Sequence, residues 1–542
     1  MVGSLISRHL LLAAFSLCAV LALSTSAYSA GGFSPDYKIA DIGPGTESVD
    51  SSKYQRVCYV SQTTGSDRVG NGSRAKPWST VGKAIAALSG AGPSKHCLLK
   101  VASGRYTGTT IAMRPYVDIY GGCDPKSWAR DIFAHRSVLD GRGAGRVLIG
   151  ADNSRLDGFV IRGGRTRGHG GAILCDRTSP EITNNVFTGN STSEPKDYVR
   201  GLIHQVGSEG GAIACINAAS PRIANNIFHG NTTDNGGGGA IASRNYSLPV
   251  IENNVIADNV TGTTDNNPDK KKRARSSNGG GISCSNALHT ETTTSRIVNN
   301  LIINNRVGGN GDGGGIYCEY DSFPDIVGNA ILGNSAEDDG GAIYVMKSSE
   351  PLISGNYIAG SKGGGAIRLS KEGRARIEGN VLALNVHGGV LIMDSWGIVA
   401  NNTIVDNTDL GVACEKARPP LKPSIVKDNI IWGNANTSIA QGADELLILS
   451  NNVTQGESAA PAFLDDGLTG TLASTSLDRA RFQTRMQLAS GLENAEELVG
   501  RVIRVGEYWS VICAADSRSL TIWGEVRKPA TFEIPKSYRL KE

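Results

Sequence analysis

Apolar and polar positions recur along most of this chain in one repeating arrangement. Aligned on a Gly-Gly-Ala-Ile segment, nine copies of a unit start at Gly170, Gly210, Gly238, Gly279, Gly313, Gly340, Gly364, Gly388 and Asp409. The steps between them are 40, 28, 41, 34, 27, 24, 24 and 21 residues. The clearest pair reads GGAIYVMKSSEPLISGNYIAGSKG from Gly340 and GGAIRLSKEGRARIEGNVLALNVH from Gly364. Three apolar columns run down the alignment. The first is Ile173, Ile213, Ile241, Ile282, Ile316, Ile343, Ile367, Leu391 and Val412; the second runs from Ile182 to Val426 and the third from Phe187 to Ile431. Each lies in a short β-prone run with alternating neighbours, which predicts three short strands per unit. Repetition at this period means a solenoid. Three strands in roughly 22 residues make one coil of a right-handed parallel β-helix, with coils stacked about 4.8 Å apart. One coil alone cannot bury its apolar face, so burial drives the stacking.

Two asparagine columns fit the same coil. One runs Asn185, Asn226, Asn254, Asn300, Asn329, Asn356, Asn380, Asn402, Asn429; the other follows five residues later, with Ser361 in place of one asparagine. Asparagine tolerates the left-handed backbone of a sharp corner, and its amide bonds to its copies above and below. These residues are expected to be structural.

The Gly-Gly-Ala-Ile segment followed by Phe-x-x-Asn (Phe187 to Asn190, Phe228 to Asn231) resembles the repeats of polymorphic outer-membrane-protein-type β-helices. More broadly, Tyr59 to Asn452 resembles the pectin-lyase-like superfamily of secreted β-helix proteins. That resemblance implies the fold and leaves the activity open, because the superfamily holds lyases, hydrolases, epimerases, adhesins and tailspikes.

The expected organisation is a signal peptide over 1–29, a linker over 30–52, a cap with irregular first coils over 53–165, regular coils over 166–457, a second linker over 458–476 and a small β unit over 477–542. The signal peptide rests on Arg8 and His9 before an apolar run from Leu10 to Leu23, with small residues after it. It predicts export, to the periplasm, the cell surface or the medium, with no membrane span in the mature chain. In the cap, Val81, Ala84, Ile85 and Leu88 have helical spacing, and that helix would plug the open end of the solenoid. In the tail, Trp509 and Trp523 read as core residues before they read as a sugar platform.

Net charge is +3 on 542 residues, which argues against a nucleic-acid partner. Of ten cysteines, Cys18 falls in the leader, leaving nine. Cys175, Cys215, Cys284, Cys318 and Cys414 share one repeat position that other copies fill with Ser243, Val345, Leu369 and Met393, so they are expected inside the core. Cys58 and Cys97, on successive cap strands, are a disulfide candidate.

Function in a solenoid sits where the repeat is broken. Two long insertions, Ser191–Glu209 and Val260–Asn278, leave the same edge two coils apart. The first offers Tyr198, Arg200 and His204, and the second Lys270, Lys271, Lys272, Arg273 and Arg275. The cation run suits an acidic polysaccharide or surface glycan. Asp312 and Asp339 each precede a Gly-Gly start on adjacent coils, with Asp338 beside them, and stacked carboxylates favour a shared proton or a hard cation such as Ca²⁺. Gly168-His169-Gly170 looks like the Gly-His-Gly of β-helix polygalacturonases but lacks the paired acids that precede it there. The reading taken forward is an exported protein that binds glycan or another surface along the solenoid flank without turnover. The alternative is a polysaccharide lyase or related carbohydrate-active enzyme on an acidic polysaccharide.

Overall fold

The computed structural model describes residues 39, 42–193, 208–262, 277–285, 295–415, 422–441, 447–527 and 529–540. Parallel sheets run the length of a β-helix. Each regular coil begins in a twelve-stranded sheet (Ile111–Ala112 to Ile439–Gln441). It then passes through a fourteen-stranded sheet (Arg56–Val60 to Leu447–Ser450) and a thirteen-stranded sheet (Gly104–Thr107 to Val453–Thr454). The apolar columns are in register: Ile173 pairs with Ile213, Ile182 with Ile223 and Phe187 with Phe228, whose rings stack at 4.6 Å. All are fully buried.

The eighth copy departs from the alignment by one residue. Ile367 pairs with Val390, and Leu391 lies beside Arg368 on the outer face, because Gly388-Gly389-Val390 is one residue shorter than the other starts. Ile392, not Met393, therefore continues the cysteine column. That column is buried throughout, as small hydrophobes would be.

A further sheet, of seven very short strands, was not expected. It runs from Arg165–Arg167 to Lys362–Gly364 and includes Ser335–Asp339. It occupies the edge from which the insertions leave.

The asparagines form two ladders, the first unbroken from Asn185 to Asn452. The Oδ1 of Asn329 accepts from the backbone N–H of Asn300 (2.8 Å) and from its Nδ2 (3.0 Å), while the Nδ2 of Asn329 donates to the carbonyl of Ile297 (2.8 Å). The pattern repeats from Asn185 to Asn452. The left-handed backbone sits one residue earlier than expected, at Asn184, Asn225, Asn253, Asn299 and Gly328, all with φ between 52° and 65°. Glycine and asparagine adopt this conformation most readily. The ladder asparagine is left free to bond along the stack. At Ser361 the second ladder loses its amide, and the serine hydroxyl has no partner.

The cap helix, Val81–Ala87, is capped by Thr80, whose Oγ1 accepts from the N–H of Lys83 at 3.3 Å. Val81, Ala84, Ile85 and Leu88 join the solenoid core and close its end. Cys58 and Cys97 are both free, so the disulfide candidate is not formed. Their strands pair Cys58 with Leu99 and Cys97 with Arg56, which staggers the two thiols by two residues. Residues 42–47, inside the expected linker, lie against the solenoid. The N–H of Gly43 donates to Asn253 O (2.9 Å) and that of Gly45 to Asn184 Oδ1 (2.9 Å).

The tail is a closed six-stranded antiparallel barrel. It begins at Leu468, within the stretch expected to be a linker, with the eleven-residue strand Leu468–Asp478. The barrel packs on the outer face of the thirteen-stranded sheet, where Val186, Ile227, Val255, Leu301 and Tyr357 meet Phe482, Val502, Trp509 and Trp523. Trp509 seats against Gly333 and Gly360, where an added Cβ would lie 2.7 and 2.2 Å from the indole. Tyr508 donates to Asp258 and Tyr538 to Asp406, both at 3.1 Å. Both tryptophans are therefore core residues of this interface.

Two outcomes test this packing. Asn329→Ala strands the backbone N–H of Asn300 and removes a donor from the carbonyl of Ile297 in the core, while Asn300 Nδ2 keeps the carbonyls of Ile251 and Val298. It should cost about 2–4 kcal/mol in denaturant unfolding, since each orphaned buried group costs about 1–3 kcal/mol. Gly360→Ala should release Trp509, seen as red-shifted tryptophan emission and easier proteolysis near residue 468. Gly355→Ala, with φ +62° but open space around it, should cost only the backbone strain of about 1–2 kcal/mol.

Candidate functional site

The insertion edge carries the chemistry that can be located. Tyr198, Arg200, His204, Lys270, Lys271, Lys272 and Arg273 lie outside the described residues, as does Arg275. Asp312, Asp338 and Asp339 are described, and the coil stacking brings them together. One carboxylate oxygen from each lies within 4.8 Å of the others. The backbone explains the convergence. Gly313 N–H donates to Asp339 O and Gly279 N–H to Asp312 O, both at 3.0 Å, so successive Gly-Gly starts are laid in register. The N–H of Asp312 is held by Asn278 Oδ1 at 3.1 Å.

The three acids differ in surroundings. Asp338 is exposed, whereas Asp312 and Asp339 are partly buried. Burial, then the charges of Asp339 and Asp338, push the Asp312 carboxyl up to about 7. Its Oδ1 is buried without a hydrogen-bond partner. Burial also raises Asp339, against the pull of Arg368, whose Nη1 is 3.2 Å from Asp339 Oδ1. Three carboxylates and one guanidinium leave an oxygen-rich, acidic site. Hard cations such as Ca²⁺ take such donors, and the unpartnered Oδ1 fits that use.

Arg368 was not singled out in the sequence. It stands on the outer face of the twelve-stranded sheet, in register with Tyr344, Tyr317 and Ser283. The two tyrosine rings stack at 5.8 Å and are buried. Beside them, Glu319 accepts from Tyr317 Oη (3.0 Å), Ser285 Oγ (3.3 Å) and Lys347 Nζ (3.3 Å). Three and two coils earlier, Glu209 and Arg244 form a buried ion pair. Burial pushes Glu209 up to about 7 despite that partner. His169 lies on the same flank and is partly buried; burial, then Arg244 and Arg146, lower it to about 4, so its ring is neutral at pH 7. Polar residues thus recur on the outer face from His169 to Arg368, interrupted by Ala214, Ala242 and the buried cluster of Tyr317, Tyr344 and Met346. The only sequence signal for them was polar or aromatic residues at outward strand positions.

Residues 328–453 match the model of the right-handed β-helix region, and residues 63–199 match a family of proteins of unknown function, DUF1565. The fold is a right-handed parallel β-helix. No curated protein matches the chain. Among solved structures, the complex of XylC with xylose is 11% identical over 88% of this chain and 99% of its own, with a TM-score of 0.41. A lacto-N-biosidase from Eubacterium ramulus is 10% identical over 73% of this chain and 67% of its own, with a TM-score of 0.34. A pectate lyase is 15% identical over 79% of this chain and 86% of its own, with a TM-score of 0.30.

The acid site predicts a pH dependence. A carboxyl raised from its ordinary value to about 7 holds its proton longer in the folded chain than in the unfolded one. Its contribution is therefore fully present below pH 4 and is lost as pH rises towards 7. Asp312→Asn should flatten part of the fall in thermal stability between pH 4 and 7; Glu209 and Asp258, both also raised to about 7 by burial, and Asp339, raised by burial too, should keep the rest. Added Ca²⁺ should raise the melting temperature more at pH 8 than at pH 5, and Asp312→Asn/Asp339→Asn should abolish that gain.

Proposed function

We propose that this chain is an exported protein that binds an acidic polysaccharide along the outer face of its twelve-stranded sheet, without turning it over. The observation that carries this is the meeting of Asp312, Asp338 and Asp339 with Arg368 on the edge where the repeat is broken. A divalent cation held by the three acids would neutralise a sugar carboxylate. Arg368, paired with Asp339, would bond a second acidic or hydroxyl group through what remains exposed, and Lys347, beside Glu319 and 3.7 Å over the Tyr320 ring, would offer a further contact to the sugars. An extended polymer suits a solenoid, whose flank repeats one set of positions every coil.

One observation favours a second reading, turnover by β-elimination. A carboxyl poised near neutrality, at Asp312, beside a guanidinium, at Arg368, is the kind of pair that acid–base chemistry uses.

One assay separates them. Purified protein is incubated with uronate polymers, with Ca²⁺ or with EDTA, and both retention on the polymer and ultraviolet absorbance of unsaturated ends are followed. Ca²⁺-dependent retention with flat absorbance, lost in Asp312→Asn/Asp339→Asn, is the expected result. A Ca²⁺-dependent rise in absorbance lost in Arg368→Ala would establish the lyase instead. Absence of retention and of absorbance change across the panel would overturn both.

A further inference from the structure

A cavity away from the acid site lies at the N-terminal end of the solenoid, and none of the three acids lines it. It has a volume of about 690 Å³ and lies between the cap helix and the first coils. Its floor is apolar and buried, formed by Val81, Tyr106, Leu139 and Val147. Its rim is the exposed turn Gly108-Thr109-Thr110. Lys83, Arg105 and Arg146 line it, against the single carboxylate of Asp140.

These charges are arranged, not scattered. Asp140 is held by Arg105 (2.9 Å) and by Arg162 (2.7 Å), and accepts from the N–H of Arg142 (2.9 Å). The Nε and Nη2 of Arg146 are fixed on the carbonyls of Gly170 (3.0 Å) and His169 (2.8 Å), which orients the guanidinium. Thr110 Oγ1 donates to the carbonyl of Arg146 at 2.8 Å and ties the rim to the far wall. The cavity therefore carries an excess of positive charge, an apolar floor and hydroxyls at the rim. At Gly82 and Gly108, both in its lining, an added Cβ would meet nothing within 4 Å, so either position has room for a side chain.

We infer that this cavity is a second ligand site, for a small hydroxyl-bearing anion of monosaccharide size, a sugar carboxylate or a sugar phosphate. The volume falls within the usual 300–1,000 Å³ of small-molecule sites. The cations supply charge-assisted hydrogen bonds to the anionic group. The apolar floor receives the carbon face of a sugar ring, and the threonines face its hydroxyls. The site is independent of the reading given for the sheet flank.

The test is calorimetric titration of the full chain with galacturonate, galactose, galactose 1-phosphate and inorganic phosphate. Either galacturonate or galactose 1-phosphate should bind, and galactose should not; which of the two binds tighter identifies the anion. Lys83→Ala and Arg105→Ala should each weaken binding about tenfold, with Asp140 still held by Arg162 in the second variant. Gly108→Trp, at a position with ordinary φ and open space, should fill the cavity and abolish binding while leaving the melting temperature intact. Asp312→Asn/Asp339→Asn should bind as the parent does. Binding of inorganic phosphate alone as tight as that of either sugar acid would overturn a sugar site. So would galacturonate binding that survives Gly108→Trp, or silence from every probe.

Discussion

The fold depends on one constraint: every residue must stack on its equivalent in the next coil at the strand spacing, about 4.8 Å. Apolar side chains meet this easily, because like on like fills space without new partners. Polar corners do not. A buried corner must satisfy its backbone groups at every level, or each coil pays for an orphan. The asparagine ladders solve this by having each carboxamide accept from the coil before it and donate to that coil's backbone. The corner itself is turned by the residue before, so one position handles conformation and the next handles hydrogen bonding.

That division explains what was legible. The stacked columns, the asparagine ladders and the cysteine core positions could be read directly, because stacking forces similarity between copies. The position of the left-handed residue was missed by one, since asparagine serves both roles in Asn184-Asn185 and Asn253-Asn254. Leu391 was misplaced because a one-residue deletion hides in a Gly-Gly-Val start. The short strands of the seven-stranded sheet, such as Thr232–Thr233, are too brief and polar to leave a pattern. The barrel's docking face did leave one. Val186, Ile227, Val255 and Leu301 are outward yet apolar, which makes the third strand hydrophobic on both faces, as a strand buried on both sides requires.

The candidate site was legible only in part, for a related reason. Asp312 and Asp339 could be paired because both precede a repeat start. Arg368, Glu319, Lys347 and the Glu209–Arg244 pair could not, because outward positions are free to vary from coil to coil. Their proximity comes from coil register, which joins residues far apart in sequence. The cap cavity was invisible for a different reason: it is a space between irregular segments, and no column of residues records it.

A solenoid held only by neighbour-to-neighbour contacts can lose its coils one at a time from an end. This one is splinted. The barrel lies along several coils at once, fastened at Asp258 by Tyr508, at Asn304 by Trp509 and, farther along, at Asp406 by Tyr538. A coil beneath the splint cannot peel without prising off the barrel, so neighbours that would otherwise open independently are coupled across the span. The Ser361 gap, a missing rung in the second ladder, falls inside that span. The level that lacks a ladder amide is thus braced from outside, with Trp509 seated on the neighbouring Gly360.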